Sequence, residues 1–193
     1  MSMKRIILAS ASPRRKEILE KTGLKFRVDT GDYEEDMGLG LEPHELARFL
    51  SHEKVKAISG KYKDALVIAA DTFIVFRDKL LGKPRTKKEA GRMLKTLSGK
   101  AHSVITGFTI LDTGSKKKVS RSVETKVYFK RLTAGEIEAY VNSKEPLDKA
   151  GAYAIQGLGA IIVRKIEGDY FNVMGLPLST LVENLKKFGV HVL

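Results

Sequence analysis

Residues 7–20 read ILASASPRRKEILE. Ile7–Ala9 are apolar and suit a buried strand, and Ser10–Ser12 are small and suit a turn. Pro13 stands at a first helical position, after a Ser12 able to cap it. A strand that passes into a helix through a short turn is the joint from which α/β folds are assembled. Arg14 and Arg15 then fill the first helical turn. The macrodipole and the unpaired N–H groups there favour anions and penalise cations. Two arginines at that place predict a stronger negative charge arriving from outside. Hydroxyls of Ser10 and Ser12, the helix N–H groups and two guanidinium forks together suit a phosphate. The plainer reading is an N-cap followed by two surface arginines.

The alternation continues outward from this joint. Arg5–Ala9 and Leu24–Val28 read as short strands, and Thr30–Gly40 as an acidic, glycine-containing loop. Pro43–Ile58 predicts a longer helix, Ala65–Ala70 a buried strand and Thr72–Phe76 its extension. Arg77 and Asp78 turn that strand back towards KLLGKPR. Thr86–Glu89 and Thr133–Glu136 are capping boxes, whose helices end near Gly99 and Ser143. His102–Leu111 and Val119–Phe129 predict a hairpin. The stretch EPLDKAGAYAIQGLG is too long for a mere connector. Ile161–Ile166 returns to strand and Leu178–Phe188 is a last helix. The hairpin excludes a purely parallel sheet, so the expectation is one α/β domain over residues 1–193 with a mixed sheet flanked by helices.

Composition narrows the function classes. No apolar run reaches the length of a membrane span, and the chain has no cysteine for a disulfide, a thiolate nucleophile or a thiolate-held metal. A cytoplasmic protein without a membrane partner is the simple inference. The net charge of +12 suits a polyanionic ligand, though a lysine-rich surface gives the same sum. Gln156 is the single glutamine, and few amides beside many Lys and Glu hint at a thermophile. A nucleic-acid partner is disfavoured, because aromatic content is only 7% and no RNA-binding signature occurs. There is no Walker motif, no glycine-framed serine near a histidine and no His–Glu zinc signature.

Further chemistry gathers at strand ends and loops. Asp71 in AADT is read as ending an apolar strand at a sheet edge, fit for a general base or a magnesium ligand. Glu34, Glu35 and Asp36 in YEED could add oxygen ligands, or simply be a solvated loop. Lys83, between a glycine and a proline, sits in a stiff turn where an ammonium could neutralise phosphate charge. Asp148, Lys149, Gln156 and Asn172 lie on two glycine-rich loops, and an amide there could read the edge of a base or merely bond to backbone.

Taken together, LASASPRRKEIL, EKVKA (53–57), AADT, LGKPR, SGKAHSVITG, EPLDKAGAYAIQGLGA and GDYFNVMGLPL resemble the Maf family of nucleoside triphosphate pyrophosphatases, in family order and over nearly the whole chain. The resemblance implies two lobes with a substrate cleft, a fold related to the inosine triphosphate pyrophosphatases, a magnesium ion and a homodimer. It implies hydrolysis of a nucleoside triphosphate to the monophosphate and pyrophosphate. Asp71 matches the proton acceptor and, with Glu35 preferred over Glu34 as the loop acid, a metal ligand. Ser12, Arg14, Arg15, Lys54 and Lys83 match phosphate-binding groups. Arg14, Thr72 and Gln156 resemble the subgroup that acts on dTTP and UTP. The alternatives are a subgroup acting on another base, such as a methylated guanine, and a non-catalytic regulator of cell division.

Overall fold

The computed structural model describes residues 4–33 and 39–193. In chain order its regular elements are β1 (Arg5–Leu8), α1 (Pro13–Glu20), β2 (Phe26–Val28), α2 (Pro43–Ser59), β3 (Ala65–Phe76), β4 (Lys79–Leu81), α3 (Lys87–Leu97), β5 (Ala101–Asp112), β6 (Lys118–Phe129), α4 (Ala134–Asn142), β7 (Val163–Glu167), α5 (Tyr170–Met174) and α6 (Leu178–Leu185). The strands follow the order β2-β1-β3-β5-β6-β7, with β4 beside β3. β1 pairs in parallel with β2 and β3, while β3–β4 and β6–β7 are antiparallel. The sheet is therefore mixed, as the hairpin requires.

The chain divides into two compact units. The first comprises Met1–Asp71, Thr106–Val123 and Met174–Leu193. Its core sets Ile7 and Ala9 against Ala65, Val67 and Ala69, under Val55 and Ile58 of α2. Helix α2 buries Leu46, Ala47, Leu50, Ser51, Val55 and Ile58, the spacing of a one-sided helix. It lies very close to β5 at Gly107, where a Cβ would stand 2.2 Å from the backbone C and O of Ala47. Only a residue without a side chain permits that approach.

The second unit comprises Thr72–Ile105 and Glu124–Val173. Its core joins Ala90, Leu94 and Leu97 of α3 to Val104, Val127, Phe129, Tyr140 and Tyr153. Arg77 and Asp78 both take positive φ, which turns β3 tightly into β4. Thr133 and Glu136 form the expected reciprocal capping box on α4. At α3 the cap is only half of one: Thr86 accepts from Glu89 N, but the Glu89 carboxylate takes the N–H of Arg85. The stretch after α4 is built from short 3-10 turns at Glu145–Asp148, Ala150–Ala152 and Gly157–Ile161. The sequence did not signal α5, a five-residue helix opened by Asp169, whose Oδ1 accepts from Phe171 N and Asn172 N.

Candidate active site

In the first unit the joint between β1 and α1 forms as its residues dictate. Leu8 is in register with Ile68, and Ala9 N continues the ladder to Ile68 O at 2.7 Å. The turn Ser10–Ser12 thus leaves the sheet beside the stretch of β3 that leads to Asp71. Ser12 caps α1, its Oγ accepting from Arg15 N at 3.4 Å, and its own N–H donates to Ser10 Oγ at 3.3 Å. The first turn of α1 holds no acidic side chain to offset Arg14 and Arg15.

The two arginines are not equivalent. Arg15 donates from Nε to Gly175 O at 2.8 Å and from Nη1 to Ser10 Oγ at 3.3 Å. It ties the joint to the MGLP stretch, a link between residues 160 apart that no local spacing reveals. Arg14 is half-buried and forms no ion pair among the described residues.

Asp71 is where the structure departs from the sequence reading. It does not end a strand at a sheet edge. β3 runs unbroken from Ala65 to Phe76, between β1 and β5, and Asp71 lies within it at 4% exposure. A carboxylate so deep in an apolar strand needs a partner. Lys54, on the buried side of α2, supplies it with Nζ 2.5 Å from Asp71 Oδ1. The sequence carries a signal for this pair. Lys54 falls at the helical spacing of Ala47, Leu50, Ser51 and Ile58, all buried, so its ammonium is drawn inward.

The described residues contain no group of three or more His, Asp or Glu able to cage a metal ion. Glu34, Glu35 and Asp36, the expected loop acids, lie outside the described residues.

The second unit holds Thr72, Lys83 and Gln156. Thr72 is half-buried on β3. Lys83 is exposed, and its turn is fixed on either side: Gly82 O accepts from Gly151 N at 2.9 Å and Pro84 is buried. Gly151 itself has φ +65, and a Cβ on it would meet Ile74 Cδ1 at 2.4 Å. Gln156 is half-buried and precedes the 3-10 turn Gly157–Ile161, and its amide caps nothing there. Asn172 is not a base reader. It is fully buried, with Nδ2 donating to Val104 O and Thr125 Oγ1 at 3.0 Å each. Asp148 and Lys149 pair with each other.

His102, in SGKAHSVITG, is buried in this unit at 4% exposure. Its Nε2 shares a 2.8 Å hydrogen bond with Tyr153 OH, and its ring meets Phe129 and Tyr153 edge-on. Its Nδ1 has no hydrogen-bond partner among the described residues. Burial pushes the imidazole pKa down to about 4. This histidine is a packed core group, neutral at physiological pH.

Comparison with known proteins identifies the family. The family model described as Maf-like protein matches residues 5–188. The dTTP/UTP pyrophosphatase of Pelotomaculum thermopropionicum is 47% identical over 191 residues, 99% of this chain and 100% of that one. The dTTP/UTP pyrophosphatase of Methanosarcina barkeri is 49% identical over 191 residues, 98% of this chain and 97% of that one. Among solved structures, the Staphylococcus aureus Ham1 protein is 14% identical with a TM-score of 0.46, over 65% of this chain and 72% of that one. A family match that spans both units, with full-length relatives at nearly half identity, makes the conclusion plain: the chain belongs to the Maf family.

Proposed function

We propose that this chain is a pyrophosphatase that hydrolyses dTTP and UTP to the monophosphate and pyrophosphate. The observation that carries the reading is the buried Lys54–Asp71 pair beside the β1–α1 joint that bears Ser10, Ser12 and Arg14. A carboxylate held against an ammonium inside an apolar strand has no packing reason to exist. It suits a group that must accept a proton close to a polyanion. The full-length likeness to proteins named dTTP/UTP pyrophosphatases supports the choice of base.

Attack at the α-phosphorus forms a bond to the oxygen of water and breaks the bond to the oxygen bridging to the β-phosphorus. Asp71 accepts the proton of that water. Lys54 offsets the charge of Asp71 before the reaction and faces the developing phosphate charge during it. Arg14 and the N–H groups of α1 bind phosphate oxygens, with Ser12 closing the turn. Lys83 adds a further cation for the leaving pyrophosphate. A single buried carboxylate fits a divalent cation that arrives on the triphosphate, since such a cation needs only one or two protein carboxylates. Asp71 would hold it, with Glu35 as the second acid, and magnesium would polarise phosphoryl oxygens and acidify bound water.

Gln156 reads the base. Its amide can accept from N3–H and donate to O4, the pair that thymine and uracil both present and cytosine does not. A cytoplasmic homodimer, with neither a nucleic-acid nor a membrane partner, belongs to the same proposal. Among the described residues no helix is long and apolar enough to cross a membrane.

The test is pyrophosphate release over a panel of dTTP, UTP, CTP and dATP, with magnesium and with a chelator. The expected order places dTTP and UTP first, with release lost on chelation. A purine triphosphate that beat both would overturn the base assignment. Absence of release from every nucleotide would overturn the enzymatic reading.

A further inference from the structure

Gln156 sits at the centre of a five-residue segment, Ala154–Leu158, that is held at both ends by one pair of side chains. Tyr140, on α4, is buried at 5% exposure. Its hydroxyl accepts from Ala154 N at 3.1 Å and donates to Glu145 Oε1 at 2.8 Å. Glu145 then accepts from the far end of the segment, through Oε2 from Leu158 N and through Oε1 from Gly159 N, each at 3.1 Å. One residue, Ile155 on one side and Gly157 on the other, separates Gln156 from each bonded end. The backbone is shaped to the clamp. Gly157 has φ +64, and a Cβ on it would stand 2.6 Å from Glu145 Oε2. A Cβ on Gly159 would stand 2.7 Å from Tyr140 OH and 2.0 Å from Ala154 O. All of these residues belong to the second unit.

We propose that Tyr140 and Glu145 are positioning residues for base selection: they fix the segment Ala154–Leu158 so that the Gln156 amide is presented in one orientation. The proposal rests on the reading of Gln156 as the group that meets the base. The physical reason is entropic. An amide on a free loop must be ordered when the nucleotide arrives, and that cost erodes the difference between a matched and a mismatched base. Three backbone N–H groups locked to one Tyr–Glu pair remove the cost beforehand. The carboxylate is essential to the arrangement, because it alone offers two oxygens that accept three hydrogen bonds at once. Neither side chain is asked to touch the nucleotide.

Tyr140→Phe and Glu145→Gln each break part of the clamp with little change of volume. Two readouts decide. Amide hydrogen exchange, measured on the protein without nucleotide, reports the clamp itself. Exchange at Ala154, Leu158 and Gly159 should rise by about tenfold or more in the variants, with the α3 amides unchanged. The ratio of kcat/KM for UTP over CTP reports its consequence. It should fall by roughly tenfold, chiefly through a higher KM for UTP, towards the ratio of Gln156→Ala. Adding Tyr140→Phe to Gln156→Ala should lower the ratio no further. Unchanged exchange at the three amides would overturn the clamp. Faster exchange with an unchanged ratio in both variants, while Gln156→Ala abolishes selectivity, would overturn its role in base selection. Selectivity that survives Gln156→Ala would instead overturn the reading of Gln156, and the proposal with it. Since both variants report separately, failure of one to fold leaves the other to decide.

Discussion

Lys54 Nζ and Asp71 Oδ1 stand 2.5 Å apart inside the first unit, with 16% and 6% of their side chains exposed. The pair joins α2 to β3 and is the most deeply placed ion pair among the described residues. Breaking a buried ion pair by removing one partner costs about 3–5 kcal/mol. Lys54→Met should therefore destabilise the protein by about 3 kcal/mol in urea unfolding. Asp71→Asn keeps the shape and leaves Lys54 partly in reach of water, so it should cost less. Both should lower turnover by roughly 10²-fold or more, since a general base or its charge partner is gone. An Asp71→Asn protein that kept most of its activity would remove Asp71 from the mechanism.

Arg14 and Arg15 should separate under mutation. Arg15 is fastened to Gly175 O and Ser10 Oγ. Arg15→Ala should lose stability by about 1–3 kcal/mol as well as activity, because buried acceptors lose a charged donor. Arg14→Ala should lose activity alone, and its melting temperature should hold or rise slightly as a cation leaves a helix N-terminus. Thermal melts and kcat/KM on the two variants decide this. Equal melting shifts would show that the two arginines share one role.

The sequence makes most of the fold legible because its signals are local. Ser12-Pro13 starts α1, Thr133 with Glu136 starts α4, and Arg77-Asp78 turns β3 into β4. Non-local relationships are what it conceals. Asp71 looks like the end of a strand because polar residues usually stop apolar runs. In the fold an ammonium from α2 lets the strand continue through it. Asn172 looks like a loop amide until Val104 O and Thr125 Oγ1 are seen to take both of its N–H groups. The anchoring of Arg15 and the Tyr140–Glu145 clamp depend on backbone atoms, which every sequence has and no sequence marks.

His102 predicts an acid limb of stability. Burial sets its folded pKa near 4, below the ordinary value of 6.5. Between those values the unfolded chain binds a proton that the folded protein refuses. Its contribution is thus fully present above pH 6.5 and is lost as the pH falls towards 4. The loss reaches about 3 kcal/mol at most. Urea unfolding at pH 7 and pH 4.5 should show this fall in the parent and a flatter profile in His102→Gln. A parent and variant with the same pH slope would assign the acid limb to other groups.

Gly107→Ala tests whether the approach of α2 to β5 places Lys54. A Cβ at this position would overlap the backbone of Ala47, at 2.2 Å from both C and O, and would lie 2.7 Å from Arg48 N. Backbone cannot swing aside as a side-chain tip does, so α2 must move as a body or the strand must bend. Overpacking of this kind costs about 1–3 kcal/mol and sometimes more. The displacement would be carried along α2 from Ala47 to Lys54, two turns away on the same buried side. The expected result is a lower melting temperature together with a fall in kcat per folded molecule of about tenfold or more, because misplacing a catalytic partner by a fraction of an ångström is costly. The deeply buried Phe108, next along β5, provides the control. Phe108→Leu makes a cavity without pushing α2, and should lower stability while leaving kcat per folded molecule near the parent value. Equal losses of kcat in the two variants would mean that general softening of the first unit, rather than the position of α2, sets the activity.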